Sequence, residues 1–112
     1  MTAGSPHQEP FQRLSPQEAQ EMIEKGGVQF IDVREPSEYA EGHAAGARLM
    51  PLNTILTNPR QVGQDQPTVF ICKVGQRSAL AAEMAAATGH TNVYNVEGGT
   101  DAWKEAGLPI EV

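Results

Sequence analysis

Residues 68–87 read TVFICKVGQRSALAAEMAAA, and their pattern indicates the fold class. Its first four residues, 68–71, are apolar and β-branched, which predicts a short buried strand. The alanine-rich run that follows predicts a helix over about 78–88. Between the two lies a tight loop that contains glycine and begins at Cys72. A strand, a short loop and a helix in this order are typical of a parallel α/β sheet.

The same alternation extends through the rest of the chain. Ser15-Pro16-Gln17-Glu18 forms a capping box with proline at the first helical position, which predicts a helix that Gly26-Gly27 ends. Further strands are predicted at 28–33, 48–50 and 92–96, short helices at 35–39 and 52–56, a surface loop at 57–67, and a last helix after Gly98-Gly99. Strands that alternate with helices imply right-handed crossovers and a sheet covered on both faces, so the predicted class is α/β.

Composition sets limits on size and partners. The chain has 112 residues, 39% of them hydrophobic and 20% charged, a balance typical of one globular domain. Residues 1–10 are rich in proline and polar groups and predict a flexible N-terminal tail, which leaves 11–112 as the single domain. The net charge of −6 disfavours nucleic acid and anionic membranes as partners. No signal sequence or membrane-spanning run is present, so the expected location is cytoplasmic.

The chain has one cysteine, Cys72, which excludes an intrachain disulfide and a multi-cysteine metal site. No metal or other cofactor is predicted. A lone cysteine is commonly a small buried hydrophobe, but the surroundings favour a reactive thiol. Cys72 faces a helix N-terminus, and Lys73 and Arg77 are expected to stabilise its thiolate form. Gly75 lets successive N–H groups turn inward around an anion, and Ser78 can cap the helix or donate to that anion.

Loop length separates two kinds of cysteine chemistry. Cysteine-based phosphatases place five residues between the cysteine and an arginine, whereas four separate Cys72 from Arg77. The tighter loop has less room for a phosphoryl group but can enclose one extra sulfur atom. Those phosphatases also commonly carry histidine before the cysteine, where this chain has Ile71. A phosphatase or arsenate reductase is the less favoured alternative.

Three segments resemble the single-domain members of the rhodanese (sulfurtransferase) family. They are Asp32-Val33-Arg34-Glu35-Pro36-Ser37-Glu38-Tyr39 with Gly42-His43, the loop Cys72-Lys73-Val74-Gly75-Gln76-Arg77-Ser78, and Asn95-Val96-Glu97-Gly98-Gly99 with Trp103 and Gly107-Leu108-Pro109. The likeness extends from about residue 14 to 109. It implies a rhodanese-like three-layer domain with a central parallel sheet of about five strands flanked by helices on both faces.

The resemblance also implies a thiosulfate sulfurtransferase that works through a persulfide on the catalytic Cys72. Sulfur would come from thiosulfate or a persulfide donor and pass to cyanide or a thiol. The substrate would be bound by the loop residues Lys73, Val74, Gly75, Gln76, Arg77 and Ser78. Rhodanese-like domains also serve as non-enzymatic sulfur carriers or regulatory modules, so a protein partner that bears a persulfide is an alternative to a small molecule.

Three residues outside the loop are expected near the site. Asp32 and Arg34 follow a predicted strand and are interpreted as a buried ion-pair scaffold, with direct help to catalysis as the alternative. His43 lies in a glycine-rich turn, which favours a hydrogen bond that fixes the loop over a role as a base. Glu38 and Glu41 are expected to form a solvated helix face.

Overall fold

The computed structural model describes residues 9–112. Its elements, in chain order, are β1 (Gln12–Leu14), α1 (Pro16–Lys25), β2 (Gln29–Asp32), α2 (Pro36–Glu41), β3 (His43–Ala44), β4 (Arg48–Leu49), α3 (Leu52–Thr57), β5 (Thr68–Ile71), α4 (Gln76–Ala87), β6 (Val93–Val96), α5 (Gly99–Glu105) and β7 (Ile110–Glu111). The predicted tail 1–10 falls outside the described residues apart from Glu9 and Pro10, and Glu9 forms an ion pair with Arg13.

Five strands form one parallel sheet in the order β1-β6-β5-β2-β4, which confirms the predicted α/β class and sheet. The strand predicted at 68–71 is β5, and it lies at the centre of the sheet. Phe70 is in register with Ile31 of β2 on one side and Asn95 of β6 on the other. The carboxyl ends of these three strands therefore meet at one edge, where ligands of open parallel sheets bind.

Alternate residues of β5 face opposite sides of the sheet and build two cores. Val69 and Ile71 pack in a cluster with Trp103 of α5, and this cluster also includes residues of α1. Phe70 and Cys72 belong to the cluster on the other face, which includes residues of α3 and α4. All five side chains are at most 1% exposed. Burying a side chain as large as Phe70 contributes about 1.5–3 kcal/mol to the stability of the fold. The strand that precedes Cys72 is therefore held in place by its packing on both faces.

Both ends of α1 follow the predicted local signals, whereas α4 and α5 begin earlier than predicted. Ser15 accepts a hydrogen bond from the N–H of Glu18 at 3.1 Å and its own N–H donates to the Glu18 carboxylate at 2.8 Å, which confirms the predicted capping box. Gly26 ends α1, also as predicted. The helix predicted from about residue 78 begins earlier, at Gln76, because Gly75 is its N-cap.

Three features were not predicted. β1 pairs with β6 at the edge of the sheet, and β3 pairs antiparallel with β7 outside it. The predicted surface loop 57–67 contains a 3-10 turn, Pro59–Gln61, followed by Val62, which is 1% exposed and belongs to the core. Within residues 9–112, no helix has the length and apolar character needed to cross a membrane.

Candidate active site

Cys72 lies immediately after β5 and is 1% exposed. The chain makes a short turn and enters α4 at Gln76, so the predicted order of strand, loop and helix is confirmed. Gly75 has a φ of +105°, a left-handed backbone angle that favours glycine. This turn folds the loop back on Cys72 at the start of α4, where backbone N–H groups lack partners within the helix.

Two polar groups approach the sulfur. The N–H of Gly75 donates to Sγ of Cys72 at 3.0 Å, and Oγ of Ser78 lies 3.3 Å from the same sulfur. Ser78 is buried in the first turn of α4 and is not the N-cap, so of the two roles predicted for it the helix cap is wrong, and donation to an anion stays a prediction. Its hydroxyl has one hydrogen, and Oδ1 of Asn95 is the nearer acceptor at 2.5 Å. The hydroxyl can accept from a Cys72 thiol or, by turning, donate to a thiolate.

The side chain of Asn95 forms hydrogen bonds with both Gly75 and Ser78. Asn95 lies on β6 and is 1% exposed. Its Nδ2 donates to the carbonyl of Gly75 at 3.1 Å, and its Oδ1 accepts from Ser78. Both polar atoms of the amide are therefore satisfied by the loop, which orients the amide and holds Gly75 and Ser78 beside the sulfur.

The N-terminus of α5 binds the other side of the loop. The N–H and the hydroxyl of Thr100 donate to the carbonyl of Cys72 at 2.8 and 2.9 Å, and the N–H of Asp101 donates to the carbonyl of Lys73 at 3.1 Å. In a trans peptide the carbonyl and the next N–H point in opposite directions. The N–H groups of Lys73 and Val74 therefore point away from α5. A Cβ on Gly99 would lie 2.5 Å from both carbonyl oxygens, so this close approach requires glycine.

The two cations of the loop are paired with carboxylates. Nζ of Lys73 lies 2.8 Å from Oδ2 of Asp101, and both side chains are about half exposed, at 57% and 48%. Arg77 forms two hydrogen bonds, at 2.8 and 2.9 Å, with the carboxylate of Glu38 on α2. The positive charge that the sequence places beside Cys72 is therefore balanced locally.

Glu38 is part-buried, with 28% of its side chain exposed, so its expected place on a solvated helix face is wrong. The hydrogen bonds from Arg77 lower the pKa of Glu38 to about 2. The same bonds raise the pKa of Arg77. Both groups are consequently charged at neutral pH.

Val74 and Gln76 expose their side chains to solvent. Their backbone N–H groups are therefore the parts that can contact a substrate inside the loop. A surface cavity of about 190 Å³ opens beside the loop. It is lined by Arg34, Glu38, Glu41, Gly42, Lys73, Thr100, Asp101 and Lys104.

Asp32 and Arg34 form a buried ion pair at the end of β2, with side chains 0% and 6% exposed. The guanidinium also donates to the carbonyl of Gly42 at 2.8 Å, which fits the scaffold interpretation. His43 stacks on Tyr39, with ring centroids 3.6 Å apart, and its Nδ1 lies 3.0 Å from the Tyr39 carbonyl. Because a carbonyl only accepts, Nδ1 donates this bond, and it fixes the turn after α2.

Sequence reasoning missed three contributions to the site. Asn95 and Gly99 were given no role, and Glu38 was expected only on a solvated helix face. Local patterns carry no signal for them, since each acts on a loop that is distant in sequence. Among residues 9–112, no group of three or more His, Cys, Asp or Glu side chains is placed to hold a metal ion.

Comparison with known proteins gives matches that cover most of the chain. The family model described as rhodanese-like domain matches residues 15–106. The thiosulfate sulfurtransferase GlpE of Pseudomonas putida is 35% identical over 101 residues, which cover 90% of this chain and 91% of that protein. A rhodanese-related protein from Thermoplasma volcanium has a TM-score of 0.81 at 30% identity, covering 90% of this chain and 98% of that one. A Rhodopseudomonas palustris protein, described as a possible tyrosine phosphatase, has a TM-score of 0.79 at 26% identity, covering 99% and 100%.

Proposed function

Because this chain belongs to the rhodanese-like domain family, we propose that it is a thiosulfate sulfurtransferase whose catalytic residue is Cys72. Sulfur from thiosulfate or a persulfide donor becomes a persulfide on Cys72 and then passes to cyanide or a thiol. The observation that carries the proposal is the N–H of Gly75 held 3.0 Å from Sγ, inside a loop whose carbonyls are bound on the opposite side. The working unit is the single domain 11–112, and a reducing compartment such as the cytoplasm suits its free thiol.

In the first step, the Cys72 thiolate attacks the outer sulfur of thiosulfate. The new bond joins Sγ to that sulfur, the S–S bond of thiosulfate breaks, and the electron pair leaves with sulfite. The product, Cys72–S–S⁻, carries its negative charge on the outer sulfur. N–H groups of the loop and of the first turn of α4 are the donors available to that charge. They need no reorganisation, since Asn95 and α5 already hold the loop.

In the second step, the acceptor removes the outer sulfur. Cyanide attacks that atom, the S–S bond breaks, and thiocyanate leaves as the thiolate of Cys72 returns. A thiol acceptor, after losing its proton, becomes a persulfide in the same way. Because Cys72 is the only cysteine in the 112 residues, no second thiol of this chain can resolve the persulfide, and the acceptor is external. Two half-reactions through one covalent intermediate give ping-pong kinetics.

The experiment that tests this proposal measures the thiocyanate that wild type and Cys72→Ser form from thiosulfate and cyanide. Wild type should turn over and the variant should not, with both proteins folded by circular dichroism. Equal activity would refute the proposal. Negligible thiosulfate turnover together with loading of Cys72 by a partner desulfurase would favour the carrier alternative. Hydrolysis of an aryl phosphate that depends on Cys72 would favour the phosphatase alternative.

A further inference from the structure

We propose that Glu38 determines which sulfur donors the site accepts, by balancing the charge of Arg77 so that donors with one negative charge are favoured over donors with two. The inference rests on the proposed function, because it concerns the donor in the same reaction of Cys72. Glu38 is thus a residue that determines specificity and takes no part in bond making.

The ion pair between Glu38 and Arg77 is stabilised by its geometry and its partial burial. The two guanidinium nitrogens donate to the two carboxylate oxygens at 2.8 and 2.9 Å, joining α2 to α4 across 39 residues of sequence. The side chains are only 28% and 35% exposed, so water and salt screen the pair less than an exposed one. Oε1 of Glu38 also accepts from the N–H of Glu35 at 3.0 Å, which fixes the carboxylate at the start of α2. Arg77 is therefore neutralised before any substrate arrives.

Two of the cations that line the cavity beside the loop are paired as well. Lys73 pairs with Asp101 at 2.8 Å, and Arg34 pairs with the fully buried Asp32 at 2.9 Å. The cavity beside the loop is lined by three acidic and three basic side chains. The site thus supplies no excess of positive charge, within a chain whose net charge is −6.

A neutral site discriminates between donors by their charge. Thiosulfate brings two negative charges to a thiolate that already carries one, whereas methanethiosulfonate brings one. Both undergo the same displacement at their outer sulfur, thiosulfate releasing sulfite and methanethiosulfonate releasing methanesulfinate. The six charged side chains that line the cavity sum to zero, so no excess positive charge offsets the second charge of thiosulfate, and the monoanion is favoured. Removing the charge of Glu38 should raise kcat/KM for the dianion, relative to kcat/KM for the monoanion, by roughly threefold to tenfold.

The experiment compares kcat/KM for thiosulfate with kcat/KM for methanethiosulfonate, with cyanide as acceptor, at low and high salt. The variants are Glu38→Gln and, as a second removal of a paired carboxylate, Asp101→Asn. The matched control is Glu83→Gln, which changes the net charge equally on an exposed position of α4, the helix that carries Arg77. Thermal unfolding followed by circular dichroism verifies that each variant is folded.

Glu38→Gln should raise the ratio of thiosulfate to methanethiosulfonate efficiency, with a smaller rise in Asp101→Asn and none in Glu83→Gln. Higher salt should reduce the difference from wild type, because it screens charge. A gain for one donor cannot come from damage to the fold. If Glu38→Gln folds and its ratio equals that of wild type, the inference is overturned. If Glu38→Gln does not fold, an unchanged ratio in Asp101→Asn overturns it. Neither result affects the proposed sulfurtransferase activity. If wild type uses neither donor, the proposed function itself fails.

Discussion

Replacing Gly99 by alanine tests how closely α5 must approach the cysteine loop. Gly99 has a φ of +60°, and a Cβ there would lie 2.5 Å from the carbonyl oxygens of Cys72 and Lys73. The left-handed angle costs a residue with a side chain about 1–2 kcal/mol. Overpacking against backbone atoms, which cannot swing aside, adds about 1–3 kcal/mol. Gly99→Ala should therefore lower the free energy of unfolding by about 2–5 kcal/mol.

Gly107→Ala is the matched control at the other end of α5. Its φ is +74°, but nothing lies within 4 Å of the added Cβ, so only the backbone cost of about 1–2 kcal/mol applies. Urea unfolding measures both variants, and their difference of about 1–3 kcal/mol isolates the contact with the loop. The difference corresponds to a midpoint temperature lower by about 4 °C or more per kcal/mol. Equal losses in the two variants would refute the requirement for close approach.

Three other predictions concern buried polar groups, with one exposed ion pair for comparison. Asn95→Ala removes two buried hydrogen bonds from the cysteine loop, although the Gly75 carbonyl and the Ser78 hydroxyl each keep another partner, and should lower the free energy of unfolding by about 1–3 kcal/mol in urea; a loss below about 0.5 kcal/mol would contradict this. Asp32→Ala leaves a buried guanidinium unpaired and should cost about 3–5 kcal/mol, whereas Asp101→Ala breaks an exposed pair and should cost less than about 1 kcal/mol. Similar losses for the two aspartates would argue against that ranking. Burial lowers the pKa of His90 below its ordinary value, so the unfolded chain binds a proton more readily and stability should fall as the pH drops below about 6.5. Thermal midpoints measured between about pH 7.5 and pH 5 should fall less steeply in His90→Gln than in wild type, and an identical slope would count against the burial effect.

Local patterns in the sequence predicted most of the sheet and its helices. The strand at 68–71 has the predicted bounds, since four consecutive apolar or β-branched residues bounded by a loop are typical of a buried central strand. The capping box of Ser15 with Glu18 marked the start of α1, because all of its hydrogen bonds lie within four residues. β1 was missed since its three residues gain their extended conformation by pairing with β6, a partner more than 80 residues away.

The position of Cys72 could be predicted from the sequence, but the residues that hold the cysteine loop in place could not. Cys72 could be placed at a strand end from the adjacent residues alone. The role of Ser78 depends on Asn95, whose side chain reaches the hydroxyl from β6, a strand that follows later in the sequence. The pairing of Glu38 with Arg77 spans 39 residues, and a glutamate on a short helix gives no sign of such a partner. Charges that look free in the sequence can therefore be balanced in the fold.

The proposed function requires that Cys72 carries the transferred sulfur. Intact-protein mass spectrometry after exposure to thiosulfate, without an acceptor, detects that sulfur on the protein. We expect a gain of one sulfur atom, about 32 Da, that cyanide removes and that Cys72→Ser does not show. A wild-type mass that thiosulfate leaves unchanged, or an equal gain in Cys72→Ser, would contradict it.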